Sequence, residues 1–447
     1  MDKYLEFRDK YKDFIYDKYD ISYDENNMII KYYFRIEGLE EFTPLIKIKK
    51  KDIKNNNINN EMLNYLVFHI GLIEMISYYK ATCSPNIIIN AGYLDDDQIN
   101  WFKKIIFYGL GEFLYKNKID TSLEELVNIK CTGTKKIIED TNYKGIGNLI
   151  SIGGGKDSCV SLEILKNIPN NSCFIINPKT PSLECAKKAG YTDDNSVCVE
   201  RILDRKIIDL NNRGFLNGHT PFSALVAFIS YLCAYLNGKK YIVLSNESSA
   251  NESTVVGTNI NHQYSKSFEF ENDFYNYTNK YFKLDIKYFS LLRGISEFQI
   301  GRLFSKYKKY HQVFKSCNLG SKESTWKWCC NCPKCLFVYV ILSPFLYKDE
   351  LINIFGQDLF EREDLLDTFK ELIGVTEVKP FECVGTINEA KYAVSLVIDK
   401  LDKEQLPFLL NYYYKNYNLY LDGSSILEYN NENNIPEEYE KLVKEEL

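Results

Sequence analysis

The chain has 447 residues, enough for two or three domains around a large hydrophobic core. Its formal net charge is −6, and its 61 acidic and 55 basic residues are interspersed, which argues against a nucleic acid as the main partner. No apolar run approaches the roughly 18 to 20 residues that cross a membrane, and the charged start lacks the apolar segment of a signal peptide. The 13 scattered cysteines therefore favour a protein of the reducing cytoplasm over a disulfide framework.

The first third of the chain predicts a mixed α/β region. Residues that favour β-structure over 29–36 predict a strand, and an Asn-rich stretch over 54–60 predicts a loop. Helical periodicity over 62–79 and 95–115 predicts two helices. We therefore expect an N-terminal α/β domain over residues 1–144.

From about residue 145 the pattern changes to strand–loop–helix units. Short apolar runs over 172–176 and 241–244 predict buried strands, and 221–236 predicts a long apolar helix. Alternating strands and helices predict an α/β fold with a doubly wound parallel sheet, in which ligands bind beyond the carboxyl ends of the strands. We assign this second domain to residues 145–345 and a smaller, mostly helical region to 346–447.

A glycine-rich loop follows the first strand of the second domain. The stretch from Leu149 to Ser158 is an apolar strand, three glycines and then a Lys-Asp-Ser sequence that opens a helix. Glycines let backbone N–H groups approach an anion closely, and a helix N-terminus favours negative charge. The loop therefore predicts a cradle for nucleotide phosphates, made by Gly153, Gly154, Gly155, Lys156, Asp157 and Ser158.

The pattern of this loop excludes two common phosphate-binding motifs. It is not a Walker A loop, because Asp157 follows Lys156 and Ile150 stands where that motif has its first glycine. A Gly-x-Gly-x-x-Gly fingerprint cannot be drawn through it either. The loop resembles instead the Ser-Gly-Gly-x-Asp-Ser (PP) loop of the N-type ATP pyrophosphatases, with Gly153 in place of the leading serine. A glycine-rich turn without a ligand remains the alternative.

Four cysteines near the end of the second domain have the spacing of a metal site. Cys317 lies twelve residues before Cys329, and Cys332 and Cys335 follow at intervals of three. This spacing is typical of structural zinc, which takes four ligands in a tetrahedron. Cys330 is the extra thiol and is predicted to point away. An iron–sulfur cluster and buried free thiols remain alternatives.

Polar residues that could take part in chemistry lie at strand ends and in polar loops. Such side chains are uncommon in the core of an α/β region, although solvated loops or a buried thiol would also explain them. One histidine precedes a predicted helix, whose N-terminus disfavours the charged imidazole and suits a neutral base. The candidates are Asn177, His219, Glu247, Glu252, His262, Lys266 and Cys383.

Two sets of motifs carry a family resemblance. The glycine loop together with the four cysteines is similar to the family that contains 7-cyano-7-deazaguanine synthase. The wider pattern resembles more closely the UDP-N-acetylmuramoyl-L-alanyl-L-glutamate epimerase family of the MurL type. The matching stretches occur in order between residues 60 and 395, and they are 69–72, 78–85, 109–113, 249–252, 261–267, 296–300 and 379–386.

The resemblance implies an ATP-dependent isomerase of peptidoglycan biosynthesis. Such an enzyme adenylates the terminal L-Glu of a UDP-muramoyl dipeptide, inverts its Cα to D-Glu and releases AMP and pyrophosphate. Adenylation makes this possible, because a free carboxylate is a poor electron sink whereas an acyl-adenylate has a more acidic Cα–H and a good leaving group. The implied cofactors are ATP, Mg²⁺, which would offset the charge on the leaving pyrophosphate, and structural Zn²⁺.

The resemblance also implies a role for each candidate residue. The glycine loop would hold pyrophosphate, with Lys156 and Asp157 among the catalytic groups. Glu247 and Glu252 are candidates for binding Mg²⁺ or orienting the substrate, and Lys266 is a candidate for a phosphate or carboxylate contact. The candidates for proton transfer are His219, His262 and Cys383. Alternatives are another adenylating enzyme of the superfamily, which modifies a nucleoside or tRNA, and an ATP-binding module without turnover.

Overall fold

The structure is a computed structural model, and it describes residues 3–135, 138–140, 142–251, 264–317, 327–376, 378–420 and 422–447. The predicted sites at Glu252 and His262 lie outside these residues. None of the described helices combines the length and apolar character that crossing a membrane requires.

The strands of the described residues form one large sheet. They are β1 (Asp13–Tyr23), β2 (Asn27–Ile36), β3 (Glu40–Phe42), β4 (Leu45–Lys49), β5 (Asn86–Ile89), β6 (Asn128–Cys131), β7 (Asn148–Ser151), β8 (Ser172–Ile176), β9 (Ser196–Ile202), β10 (Tyr241–Leu244) and β11 (Lys287–Ser290). Their order across the sheet is β11-β10-β7-β8-β9-β4-β2-β1-β5-β6, and β3 pairs with β2.

The helices connect the strands and make up most of the region after β11. In the first half they are α1 (Lys3–Lys10), α2 (Asn60–Glu74), α3 (Ile76–Tyr79), α4 (Asp96–Gly109), α5 (Gly111–Lys116), α6 (Leu123–Leu126), α7 (Lys156–Ile164), α8 (Thr180–Lys188), α9 (Lys206–Asn212) and α10 (Phe222–Asn237). The later helices are α11 (Phe268–Tyr277), α12 (Glu297–Lys306), α13 (Pro333–Leu342), α14 (Lys348–Phe355), α15 (Leu366–Leu372), α16 (Ile387–Lys400), α17 (Phe408–Asn416), α18 (Ser424–Leu427) and α19 (Glu437–Glu446).

The sheet is mixed, which corrects the expectation of a purely parallel one. Strands β7 to β11 are parallel to their neighbours, as predicted. They continue into the N-terminal strands through antiparallel pairs β9–β4, β4–β2 and β2–β1, after which β5 and β6 run parallel to β1. The carboxyl ends of β7, β8 and β10 therefore lie at one edge of the sheet, and those of β1, β5 and β6 lie at the opposite edge. The domain boundaries at 144 and 345 stay predictions.

Each face of the sheet carries its own hydrophobic core. Leu149 of β7 packs in the core that contains α2 and α10, whereas the next residue, Ile150, packs in the core that contains α12 and α13. Successive residues of a strand point to opposite faces, so the sheet is covered on both sides. Ligand access is therefore expected at its edges, where the strands end.

Most of the predicted elements are confirmed. The predicted strands over 172–176 and 241–244 are β8 and β10, and the predicted helix over 221–236 is α10. The prediction of a single helix over 95–115 is wrong, because the chain leaves helical geometry at Leu110, between α4 and α5. Glycines flank this break, and a Cβ at Gly109 would lie 2.7 Å from the ring of Pro221, so the loop before α10 packs where a side chain would otherwise lie.

Candidate active site

The glycine loop forms a tight turn between β7 and α7, as predicted. Gly154 has a φ of +88°, and a Cβ there would lie 2.6 Å from the backbone nitrogen of Ser182, so this position requires glycine. On the other side, the backbone N–H of Lys315 donates to the carbonyl oxygen of Gly154 at 2.8 Å. The conformation of the loop is thus set by two neighbouring segments of the chain.

A cavity of about 490 Å³ opens at the carboxyl ends of β7, β8 and β10. This volume lies within the range of small-molecule sites. Residues that the sequence nominated from four separate stretches meet in its wall, and they are Gly153, Gly155, Asp157, Ser158, Asn177, Lys266 and Cys383. The structure therefore assembles most of the predicted site at the predicted edge of the sheet.

A buried hydroxyl, that of Ser151, lines the cavity together with Gly153. A Cβ at Gly153 would meet no heavy atom within 4 Å, so there is space beside the loop at this point. The Ser151 Oγ atom is buried and has no hydrogen-bond partner among the described residues, and Ser151 lines the same cavity. A polar ligand in the cavity would satisfy such a group. The surroundings of the loop thus fit a phosphate-bearing ligand.

Three acidic side chains converge beside the loop. Asp157 in the first turn of α7, Glu247 after β10 and Glu297 at the start of α12 place carboxylate oxygens within 4.8 Å of one another. Oxygen ligands at this spacing fit a magnesium ion. Sequence reasoning missed Glu297, although a Ser-x-x-Gln capping pattern around it marks the start of a helix just after β11.

The protonation of these carboxyl groups differs with their surroundings. Burial raises the pKa of Glu297 to about 8, although the neighbouring Lys156 acts in the opposite direction. Burial also raises the pKa of Glu247. At Asp157 burial acts the same way, but Lys156 and other nearby ammonium groups outweigh it and hold the pKa of the carboxyl below its usual value. Like charges this close resist simultaneous ionisation unless a cation joins them.

The side chain of Lys156 lies among the carboxylates rather than in the cavity wall. Its ammonium group is buried and forms ion pairs with Asp157 and Glu297. Burial lowers the pKa of Lys156, but the two carboxylates outweigh this and raise it above the usual value. Lys156 thus neutralises part of the acidic cluster.

A lysine–cysteine pair forms another part of the cavity wall. The Lys266 ammonium group lies 3.1 Å from Cys383 Sγ and donates to it, and Lys334 donates to the carbonyl oxygen of Cys383. Burial lowers the pKa of Lys266, but Cys383 and Glu247 outweigh this and raise it. An adjacent ammonium group stabilises negative charge on sulfur, which favours a thiol that exchanges protons.

A buried arginine that the sequence analysis missed fixes two of these residues. Arg293 donates to the carbonyl oxygens of Glu247 and Lys266, at 2.8 and 2.6 Å respectively. Its guanidinium is fully buried and pairs with Glu271 at 2.9 Å. A signal was present, because Arg293 is a lone charge within the apolar run that follows β11.

The turn that carries Cys383 is attached to the acidic cluster. Thr386 caps α16, and its backbone N–H donates to Glu389 Oε2 at 2.6 Å. The Ser249 hydroxyl donates to Glu389 Oε1 at 2.8 Å, which joins the turn to the loop after β10. A Cβ at Gly385 would lie 2.8 Å from Phe337 Cζ and 3.2 Å from the Cβ of Glu297, so a side chain at this position would force its neighbours to move.

The four predicted metal ligands come together. The Sγ atoms of Cys317, Cys329, Cys332 and Cys335 all lie within 4.8 Å of one another, with the Cys332–Cys335 pair at 3.5 Å. Tetrahedral zinc with its usual Zn–S bonds separates sulfurs by roughly 3.8 Å, so the set fits this ion. Cys330 donates to the carbonyl oxygen of Phe355 instead, which confirms that it points away. We call the four ligands the cysteine cluster.

The described histidines do not line the cavity. His219, a predicted base, has its Nδ1 atom 3.8 Å from Glu112 Oε2 and is absent from the cavity wall. His69 is buried in the core, and this burial lowers its pKa to about 3. His311 is also buried, and its Nε2 atom lies 3.3 Å from a backbone carbonyl oxygen.

A larger cavity of about 670 Å³ lies at the opposite edge of the sheet, beyond β5 and β6. Its wall contains tyrosines, asparagines and three lysines, among them Lys280 and Lys283. Lys280 pairs with Asp97 at 2.6 Å and Lys283 with Glu139 at 2.7 Å. Two of its ammonium groups are thus already neutralised.

The fold and the smaller cavity define an α/β protein with a densely charged, partly buried site at the carboxyl edge of its sheet. Two family models match the chain, the MurL N-terminal domain over residues 6–291 and the MurL C-terminal domain over residues 313–418. The chain therefore belongs to the MurL family, as its motifs indicated.

Curated relatives of the chain are named as enzymes. One from Xanthomonas oryzae pv. oryzae is 34% identical over 340 residues, which cover 74% of each chain. One from Micromonospora sp. is 32% identical over 369 residues, which cover 81% of each chain. Both are named UDP-N-acetyl-alpha-D-muramoyl-L-alanyl-L-glutamate epimerase. No solved structure matches the chain. The membership of this family makes the chain an enzyme.

Proposed function

We propose that the protein is an ATP-dependent epimerase that converts the terminal L-Glu of UDP-N-acetylmuramoyl-L-Ala-L-Glu to D-Glu through an acyl-adenylate. The observation that carries the proposal is the meeting of a glycine loop, three carboxylates and a lysine-paired thiol around one cavity. The names of the curated relatives support the choice of substrate.

The first step would take place at the glycine loop. A carboxylate oxygen of the substrate attacks the α-phosphorus of ATP, the α–β phosphoanhydride bond breaks, and pyrophosphate leaves. The loop backbone and Ser158, which faces the cavity, would bind the departing phosphates. The Ser151 hydroxyl, which has no hydrogen-bond partner among the described residues, would donate a further hydrogen bond.

The acidic cluster would hold the magnesium ion that accompanies the nucleotide. Asp157, Glu247 and Glu297 carry three negative charges when ionised, and Lys156 offsets one of them. A divalent cation would offset the other two, and when bound it would stabilise the charge that develops on pyrophosphate. The three converging oxygen ligands therefore support the cluster as a magnesium site.

The second step would use Cys383. Its sulfur, as thiolate beside the Lys266 ammonium group, takes the Cα proton of the acyl-adenylate and leaves an enolate. A second group returns a proton to the opposite face, for which His262 stays a candidate, whereas His219 does not line the cavity. Water then cleaves the mixed anhydride, and the free carboxylate and AMP are released. The cysteine cluster would bind zinc and take no part in these bond changes.

Product analysis tests the proposal. The purified protein is incubated with Mg²⁺, ATP and UDP-N-acetylmuramoyl-L-Ala-L-Glu alone, and we expect AMP, pyrophosphate and D-Glu after acid hydrolysis of the peptide. A substrate whose terminal L-Glu carries an α-amide is the matched control, because it lacks the carboxylate next to Cα that the proposed adenylation requires, and it should give neither AMP nor D-Glu. ADP instead of AMP, or no nucleotide turnover without ammonia or a sulfur donor, would contradict the proposal.

A further inference from the structure

The cysteine cluster lies against the cavity rather than in a remote part of the fold. Lys315 and Ser316, which precede Cys317, line the cavity, and so does Lys334, which lies between Cys332 and Cys335 in the sequence. The segments that supply three of the four metal ligands therefore also supply part of the cavity wall.

The first of these segments packs directly on the glycine loop. The Lys315 backbone N–H donates to the carbonyl oxygen of Gly154 at 2.8 Å. The Ser316 hydroxyl lies 2.9 Å from the position that a Cβ on Gly155 would occupy. Any displacement of Cys317 would therefore be transmitted to the backbone that is proposed to bind phosphate.

The second segment reaches the other functional groups. Lys334 lies in the first turn of α13, and its ammonium group donates to the carbonyl oxygen of Cys383. It is also close enough to Asp157 to contribute to the charge balance of the acidic cluster. Lys334 thus connects the helix that carries Cys335 to the turn that carries Cys383.

The ammonium groups of Lys315 and Lys334 differ from those of Lys156 and Lys266 in the partners that they contact. Lys156 is paired with carboxylates and Lys266 with a thiol. Within the described part of the chain, neither Lys315 nor Lys334 forms an ion pair with a carboxylate. Two half-buried cations beside a glycine loop that form no direct carboxylate ion pair among the described residues favour a polyanionic ligand.

We propose that the cysteine cluster positions Lys315 and Lys334 as the polyphosphate-binding wall of the nucleotide site. The proposal rests on the proposed function, since it takes the cavity to be the ATP site. It gives the metal centre a role in ligand affinity as well as in folding, through two lysines that touch the anion.

Calorimetric titration with two probes, pyrophosphate and α,β-methylene-ATP, each with Mg²⁺, tests this proposal. Lys315→Gln and Lys334→Gln should each weaken binding of both probes about tenfold or more, because each removes a charge-assisted hydrogen bond. Lys327→Gln is the matched control, since Lys327 is exposed, lies close to Cys329 and does not line the cavity. This control should bind within about twofold of the wild type.

Metal analysis and a charge-conserving variant separate ligand contact from misfolding. All three Gln variants should keep the metal content of the wild type, and Lys334→Arg should recover part of the lost affinity. Wild-type-like binding by both Lys315→Gln and Lys334→Gln would overturn this inference and leave the proposed function intact. Failure of the wild type to bind either probe would overturn both.

Discussion

The two cavities at opposite edges of the sheet differ more in charge than in size. The larger, of about 670 Å³, has two lysines that are already paired with nearby carboxylates. The smaller, of about 490 Å³, adjoins three carboxylates, a lysine-paired thiol and two lysines that lack carboxylate partners within the described residues. Unbalanced charge held in place by burial, rather than volume, is what distinguishes a site for chemistry from an opening in the surface.

Removing one carboxylate from each edge gives the sharpest contrast. Asp157→Asn takes a ligand from the proposed magnesium site, so AMP formation should fall about 10²- to 10³-fold. Asp97→Asn removes the partner of Lys280 at the larger cavity and should leave AMP formation within about twofold of the wild type. Equal losses of AMP formation in the two variants would contradict the assignment of the acidic cluster to the reaction.

Removing one thiol from each edge separates the two chemical steps. Cys383→Ala should slow the formation of D-Glu about 10²- to 10⁴-fold while substrate-dependent pyrophosphate release continues. Cys131 ends β6 at the opposite edge, and Cys131→Ala should change neither rate appreciably. If Cys383→Ala lost both activities in parallel, its turn would have a structural role instead of proton transfer.

Breaking one ion pair in each half compares how much a buried pair and a more exposed pair contribute to the free energy of unfolding. Arg293→Met leaves Glu271 buried without its partner, and it should lower the free energy of unfolding by about 3–5 kcal/mol. Arg35→Met breaks a half-exposed pair with Asp17 in the N-terminal strands and should cost about 1 kcal/mol or less. Urea unfolding measures both, and similar losses would contradict the assignment of Arg293 as a buried anchor.

The smallest expected effect is on the pH dependence of stability. It comes from His69, a buried histidine in the half of the molecule that contains the larger cavity. His69 contacts the carbonyl oxygen of Tyr65 in that wall, and burial lowers its pKa to about 3. In the unfolded chain this histidine takes up a proton near pH 6.5, whereas in the folded protein it stays neutral. Below pH 6.5 the free energy of unfolding therefore falls by about 1.4 kcal/mol per pH unit. The stability advantage of the wild type over His69→Gln should therefore shrink as the pH falls from 6 to 5.

Urea unfolding at several pH values measures this advantage. AMP formation by His69→Gln at neutral pH should stay within about twofold of the wild type. A stability difference that did not change with pH would mean that His69 is not held neutral by its burial.

Features coded by neighbouring residues could be predicted, and those that depend on distant pairing could not. The strand over 172–176 and the glycine loop follow from local apolar runs and turn residues, and both are confirmed. The antiparallel join between β4 and β9 brings together residues about 150 positions apart, such as Ile48 and Val199, and nothing in either strand specifies its partner. The sheet was therefore predicted as parallel although it is mixed.

The same distinction holds within the site. Asp157 and Glu247 could be nominated because Asp157 follows the glycine loop after β7 and Glu247 lies in the loop after β10, and both strands are recognisable in the sequence. Glu297, Lys315 and Lys334 owe their positions to the packing of α12, the cysteine cluster and α13 against the loop. For Lys334 a signal was available, because it lies between Cys332 and Cys335, two members of the cysteine cluster that was predicted from their spacing.

Deuterium uptake at Cα shows whether inversion passes through an ATP-dependent loss of the Cα proton. The reaction is run in D₂O with UDP-N-acetylmuramoyl-L-Ala-L-Glu, with and without ATP, and the glutamate is analysed by mass spectrometry and chiral chromatography. The group that returns the proton to the opposite face of Cα exchanges its own proton with solvent, so we expect D-Glu that carries deuterium at Cα, formed only when ATP is present and accompanied by AMP. Unlabelled D-Glu, or labelled D-Glu formed without ATP, would contradict it.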